Sequence, residues 1–138
     1  MKAIKQKHSS GCGVACTAHI LGLSYNKTLS LFKNKKNKAK SEGFLCREII
    51  QVLNRDNKKY QYKYIKKGIK KKIYQDGVIV YIRKSKKYPA GHYLCRTNNY
   101  WMDSWINFQY SQDIKKAKAG FRKRLSDRPI YAILPVKN

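Results

Sequence analysis

Acidic residues are what this chain has least of: seven Asp and Glu stand against 32 Lys and Arg in 138 residues, a formal net charge of +25. Paired cysteine spacing is also missing. Cys12, Cys16, Cys46 and Cys95 contain no CxxC unit, and no His-x-x-x-His or second cysteine pair completes a tetrahedral set around Cys12 and Cys16. A zinc ribbon is thereby excluded, and neither a metal nor a cofactor is expected. No N-terminal apolar run resembles a signal peptide and no apolar segment approaches bilayer length, so neither secretion by a signal peptide nor membrane insertion is expected. With no repeat and no linker, residues 1–138 read as one domain, large enough to bury about two thirds of its unfolded surface without a disulfide staple.

What is present in excess is lysine. The charge is far beyond what solubility requires, and it suits a polyanionic partner such as nucleic acid or an acidic protein. Yet 25 of the 32 basic residues are Lys and 7 are Arg, whereas base reading and bidentate phosphate grips favour Arg. Nonspecific, salt-sensitive attraction through a Lys-rich surface is the reading that follows. Asn, Ile and Tyr are abundant too, residues that AT-rich coding favours along with Lys, so part of the charge can be compositional.

The periodicities divide the chain in two. Residues 12–23 read as an apolar helix, 28–35 as a short helical span, 33–40 as a charged helix end or loop, and 43–57 as an amphipathic helix. From Tyr60 the period falls to two. YQYKYI reads as a strand whose Tyr60, Tyr62 and Tyr64 share a core or half-buried face, and residues 66–72 as a basic stretch without a buried face. Residues 77–83 form a continuous apolar strand suited to a sheet interior. Residues 92–96 and 100–103 pair as a hairpin about the turn 97–99. A short helix is expected at 111–118 and a last strand at 129–135. Helices first and antiparallel strands second make an α+β fold, N-terminal helices packed on a C-terminal sheet.

The chemistry concentrates at QKHSSGCGVACTA, residues 6–18, where a loop ends and the first helix opens with Cys12 at the junction. A thiol at the first turn of a helix faces the positive end of the macrodipole and unpaired N–H groups, which favour the thiolate. Gly11 and Gly13 beside it allow a sharp turn and the close approach of a substrate carbonyl. Gln6 carries an amide that can donate to an oxyanion from the loop side. The competing reading of Cys12 is an inert buried thiol.

Two further residues bear on the choice. His92 opens a strand directly after Gly91, at a loop edge, where an imidazole can serve a cleft as general base. Asp103 ends the partner strand of the same hairpin, so its carboxylate can fix the imidazole tautomer. Alone, His92 can equally be a structural histidine, and Asp103 a turn aspartate or salt-bridge partner. Trp101 and Trp105 bracket Asp103 and are expected to shield the pair from water.

In this order, Gln6, Cys12-Gly13-Val14-Ala15-Cys16, Gly91-His92 and Asp103 resemble a papain-like cysteine peptidase, closest to the domains that cut double-glycine leaders from bacteriocin precursors. The resemblance runs from Gln6 to the last strand. It implies Cys12 as nucleophile, His92 as base, Asp103 as orienting carboxylate, Gln6 as oxyanion donor and Cys16 as a buried helix residue without a catalytic role. Gly11 replaces the acidic residue usual before the nucleophile, and Asp103-Ser104 is closer to the Asp-Ser of viral and effector members of the wider group. The implied function is a thiol peptidase cutting a peptide bond, after small residues such as Gly-Gly, or an isopeptide bond. The alternative is a non-catalytic papain-like scaffold whose basic surface holds nucleic acid or an acidic partner. The location would be the cytoplasm or the inside of a virus particle.

Overall fold

A computed structural model of the chain describes residues 2–33, 35–55, 57–109 and 112–136, with Lys36 described through its backbone alone. Among the described residues four helices come first: α1 (Cys12–Leu21), α2 (Tyr25–Leu29), α3 (Lys35–Asn37), which runs into a π-helical turn at Lys38–Glu42, and α4 (Cys46–Arg55). Six strands follow, β1 (Tyr60–Tyr64), β2 (Ile79–Ile82), β3 (His92–Thr97), β4 (Tyr100–Asp103), β5 (Gly120–Arg122) and β6 (Pro129–Pro135). They form one sheet in the order β1-β6-β2-β3-β4-β5, with every neighbouring pair antiparallel. The α+β expectation of helices on an antiparallel sheet is met.

Both faces of the sheet are covered, which explains the apolar run at β2. Ile79 joins Tyr93, Cys95, Met102 and Ile133 against Val14, Ala15 and Cys16 of α1 and Ile49, Val52 and Leu53 of α4. Val80 and Ile82 point the other way, into a second cluster with Leu94, Trp101 and Leu134. Each such fully buried aliphatic side chain contributes about 1.5–3 kcal/mol over an exposed one. The second cluster is closed partly by the basic stretch after β1. Ile73 is buried there and Ile65 and Ile69 pack against it. Residues 66–72 therefore carry partly buried Ile69 between partly buried Ile65 and buried Ile73, a four-residue spacing that the lysines obscure in the sequence.

Several boundaries shift for local reasons. Gly22, at φ 69°, ends α1, and Ser24 caps α2 by accepting from the Lys27 N–H, so the second helix starts at Tyr25 instead of Thr28. The 111–118 segment makes only a 3-10 turn at Ile114–Lys116, capped by Asp113; Ser111 lies outside the described residues. β5 is too short to leave a periodic trace. The hairpin turn uses Asn98 and Asn99, both left-handed at φ 47° and 67°, as a two-residue turn between right-twisted strands requires. β1 is an edge strand, and Tyr62 and Tyr64 are 48% and 52% exposed instead of half-buried; of the three tyrosines only Tyr60 packs against the helix-side cluster. Among the described residues, no helix is long and apolar enough to cross a membrane.

Gly91, which delivers His92 to the start of β3, is held at φ 77°, and Tyr81 occupies the space that a side chain would need. Gly91→Ala is expected to lower unfolding free energy in urea by about 2 kcal/mol, with the loss read as a lower midpoint at unchanged slope.

Candidate active site

Cys12 sits at the first position of α1, where Gly11 supplies no side-chain cap, so the first-turn N–H groups remain directed at the space before the helix. α1 packs on β3, and the Tyr93 backbone N–H donates to Cys12 Sγ at 3.4 Å. Cys12 is thus tied to the residue that follows His92. Gly11 and Gly13 serve packing here, not substrate approach: the Tyr25 hydroxyl fills the space beside Gly11, and Ile49 and the Tyr93 ring lie against Gly13.

His92 and Asp103 are joined by a 2.7 Å hydrogen bond between Nε2 and Oδ1. Their placement follows from the hairpin. Cys95 pairs with Met102 and Arg96 with Trp101; continuing that register sets Asp103 opposite Leu94, two residues from His92 on the same face. Diagonal neighbours of this kind lie within side-chain reach. With Nε2 committed to Asp103, Nδ1 is left for Cys12.

Burial by itself would lower the basicity of His92, but the hydrogen bond to Asp103, the hydrogen bond to Cys12 and the charges of both push its pKa up to about 10. Burial would raise the Asp103 carboxyl; the bond to His92, the Trp105 N–H at 3.0 Å and the nearby Arg122 hold it below its ordinary value instead. Cys16, fully enclosed on the inner turn of α1, is pushed well above an ordinary thiol by burial first and by Cys95, Cys12 and Asp103 next. That suits a packing role.

An open cleft of about 680 Å³ reaches Cys12 and His92. One wall carries Ser9, Ser10, Gly43 and Phe44, the other Tyr88, Pro89, Ala90 and Gly91. Cys12 belongs to the helix-side cluster, whereas Tyr88, stacked on the His92 ring at 4.7 Å, belongs to the cluster beneath the sheet. The site lies where the two cores meet at one end of the sheet. Tyr88 left no motif in the sequence that could have singled it out.

Gln6 reaches the cleft wall but is spent differently from expectation. Its Nε2 donates to the carbonyls of His8 and Ser9 at 2.9 and 3.2 Å, and its Oε1 accepts from Ser104 Oγ at 2.7 Å. Both amide hydrogens brace the loop ahead of Cys12, which leaves the backbone N–H groups of the first turn of α1 as the donors directed at the space before the helix. Trp105 fits its expected place, bonded through its backbone to Asp103 and through Nε1 to Gln112 at 2.9 Å. Trp101 is buried too, on the same face of β4 as Asp103, within the second cluster, where Arg96 lies over its ring. Among the described residues, no group of three or more His, Cys, Asp and Glu is placed to hold a metal ion.

The sequence matches no model of a known protein family and no curated protein.

The signs of the two shifts define a pH window. His92, raised from 6.5, contributes stability that is complete below about 6.5 and fades as pH climbs to about 10. Asp103, lowered from 3.8, contributes stability that is complete above that value and is lost as pH falls through its folded-state value. Asp103→Asn should therefore destabilise most between about pH 4 and 6.5, on the order of 3 kcal/mol for a buried pair broken on one side. Thermal melts of both proteins across pH 3–10 should converge towards the two ends.

Proposed function

We propose that the chain is a papain-like cysteine peptidase, a thiol hydrolase that cleaves a peptide or isopeptide bond through an acyl-enzyme on Cys12. The observation that carries this reading is the hydrogen bond between His92 and the wholly buried Asp103, beside a thiol at a helix N-terminus on an open cleft. With its proton already held on His92, Cys12 Sγ attacks the carbonyl carbon, and the carbonyl oxygen becomes an oxyanion facing the first-turn N–H groups. The C–N bond then breaks, with His92 returning the proton to the leaving amine. Water attacks the thioester, His92 takes its proton, and the acid leaves as Cys12 is restored. Asp103 keeps the ring in the tautomer that both transfers need.

The cleft supports an extended peptide as substrate. Tyr64, Tyr131, Tyr81 and Tyr93 stand in direct register across β1, β6, β2 and β3, a tyrosine row that descends from the sheet edge to the residue bonded to Cys12. Tyr62, Tyr131 and Tyr81 line the cleft. Where the walls approach Cys12, the loop of Pro89, Ala90 and Gly91 leaves room for small residues at the cut, of which a double glycine is one candidate.

The net charge of +25 favours a second role compatible with the first, in which the lysine-rich surface holds nucleic acid or an acidic protein nonspecifically, in the cytoplasm or inside a virus particle. A papain-like scaffold without catalysis would keep that binding alone.

Iodoacetamide should modify Cys12 at least ten times faster than Cys46, with Cys16 and Cys95 protected until unfolding; equal rates would end the catalytic reading. Cys12→Ala should abolish cleavage of a glycine-containing peptide library while leaving salt-sensitive polyanion binding intact. If no peptide is cut by the unmodified protein and only that binding is found, the scaffold reading replaces the peptidase.

A further inference from the structure

Asp103 is the middle of a three-strand arrangement, and its third member has no part in the mechanism above. Its Oδ1 is fully used by His92 and by the Trp105 N–H. Its Oδ2 is buried without a hydrogen-bond partner among the described residues, and so is Nε of Arg122 on β5. These two orphaned atoms of opposite charge face each other at 3.6 Å. On β5, Gly120 pairs with Asp103 and Arg122 with Trp101, so Arg122 is the diagonal neighbour of Asp103 on one side as His92 is on the other. The Arg122 side chain, 24% exposed, closes this end of the sheet.

We propose that Arg122 is a positioning residue acting through Asp103: its guanidinium holds the carboxylate anionic and oriented, and its permanent positive charge makes the His92 imidazolium readier to release its proton. This rests on the catalytic reading of Cys12 and His92. The groups that face the pair are Cys12 and Cys16 from α1, Tyr88 from the loop before β3, His92 itself and Arg122 from β5. Of these, only Arg122 is a cation at every accessible pH. Its two effects separate in sign. Towards Asp103 it is an opposite charge, which resists protonation of the carboxylate. Towards protonated His92 it is a like charge across the same carboxylate, which offsets part of the pull that Asp103 exerts on the proton. A base that captured the thiol proton and kept it would stall the departure of the amine, so an offset of this kind serves the second transfer.

The decisive measurement is the titration of the His92 ring by NMR in the Cys12→Ala background, where no thiol at position 12 titrates beside it. His8 and His19, the two other histidines, serve as internal references. Arg122→Gln is expected to raise the His92 midpoint by about one pH unit, whereas Arg122→Lys, which keeps the charge, should leave it within about 0.3 units. In the protein with Cys12 intact, Arg122→Gln should lower kcat for a cleaved peptide about tenfold with KM unchanged, the pattern of lost proton transfer rather than lost binding. Where the glutamine variant does not fold, Arg122→Met, which keeps the alkyl stem, is read in the same way. A His92 midpoint that stays or falls in a folded variant overturns the proposal, as does a lysine variant that shifts as far as the glutamine one. The failures are distinguishable. If Cys12→Ala still cuts peptide at the full rate, the catalytic reading falls and takes this inference with it; if Cys12→Ala is inactive but the His92 midpoint is indifferent to Arg122, only the role of Arg122 is lost.

Discussion

The 2.7 Å bond between His92 and Asp103 is the contact on which the rest of the site depends. An imidazole and a carboxylate buried together this deeply are tolerable only as partners, since either one left alone would carry a desolvation penalty of several kcal/mol. The hairpin supplies the partnership without any loop adjustment. Two asparagines in left-handed conformation set a two-residue turn, the turn sets the register, and the register makes residues eleven apart diagonal neighbours on one face. Moving the turn by one residue would send one of the two side chains to the opposite face. The geometry of the pair is here a by-product of ordinary strand pairing.

The site occupies a seam. α1 brings Cys12 down onto one face of the sheet, while Tyr88 stacks on His92 from the cluster under the other face. Only at the end of β3, where the strand leaves the sheet interior, can groups from both clusters meet. This position also explains the division of labour around Gln6. The loop that delivers Cys12 has few backbone bonds of its own, chiefly Gln6 N–H to Ser104, Ser10 N–H to Ala39 and Gly11 N–H to His8. A buried amide that binds the carbonyls of His8 and Ser9 and the hydroxyl of Ser104 steadies the loop against the strand that carries Asp103. A side chain read from the sequence as a donor to substrate is used to hold the loop that leads to Cys12.

What could be read from the sequence was what local pattern determines. The apolar run after residue 12, the amphipathic α4 and the Asn-Asn turn each signal their structure within a few residues. The pairing of His92 with Asp103 follows from that turn alone. What could not be read depends on distant coverage. Tyr62 and Tyr64 alternate as a buried strand face would, but β1 is the edge strand and only Tyr60 meets the helix-side cluster, so the rest of the same alternation faces solvent. Trp101 and Trp105 look symmetric about Asp103, yet they differ: Trp101 packs in the second core on the same strand face as Asp103, while Trp105, past the end of β4, bonds Asp103 through its backbone N–H. β5, three residues long, leaves no period to detect, and with it Arg122 was invisible.

The scarcity of acid gives Asp103 a significance that a count of charges misses. In a chain with seven carboxylates, the surface is already dominated by cations, and a buried anion cannot be explained as one more neutralising partner for exposed lysines, which gain little from such pairs. Asp103 is instead enclosed, with a titratable group on one oxygen and a permanent cation facing the other. His92 can be neutral or charged, but Arg122 cannot change. The carboxylate therefore has opposite charge nearby in either state of the histidine, which lets a proton move on and off His92 without leaving Asp103 buried and unpaired. A structural ion pair needs no such asymmetry; a histidine that accepts a proton and then gives it up, the role proposed for His92, does.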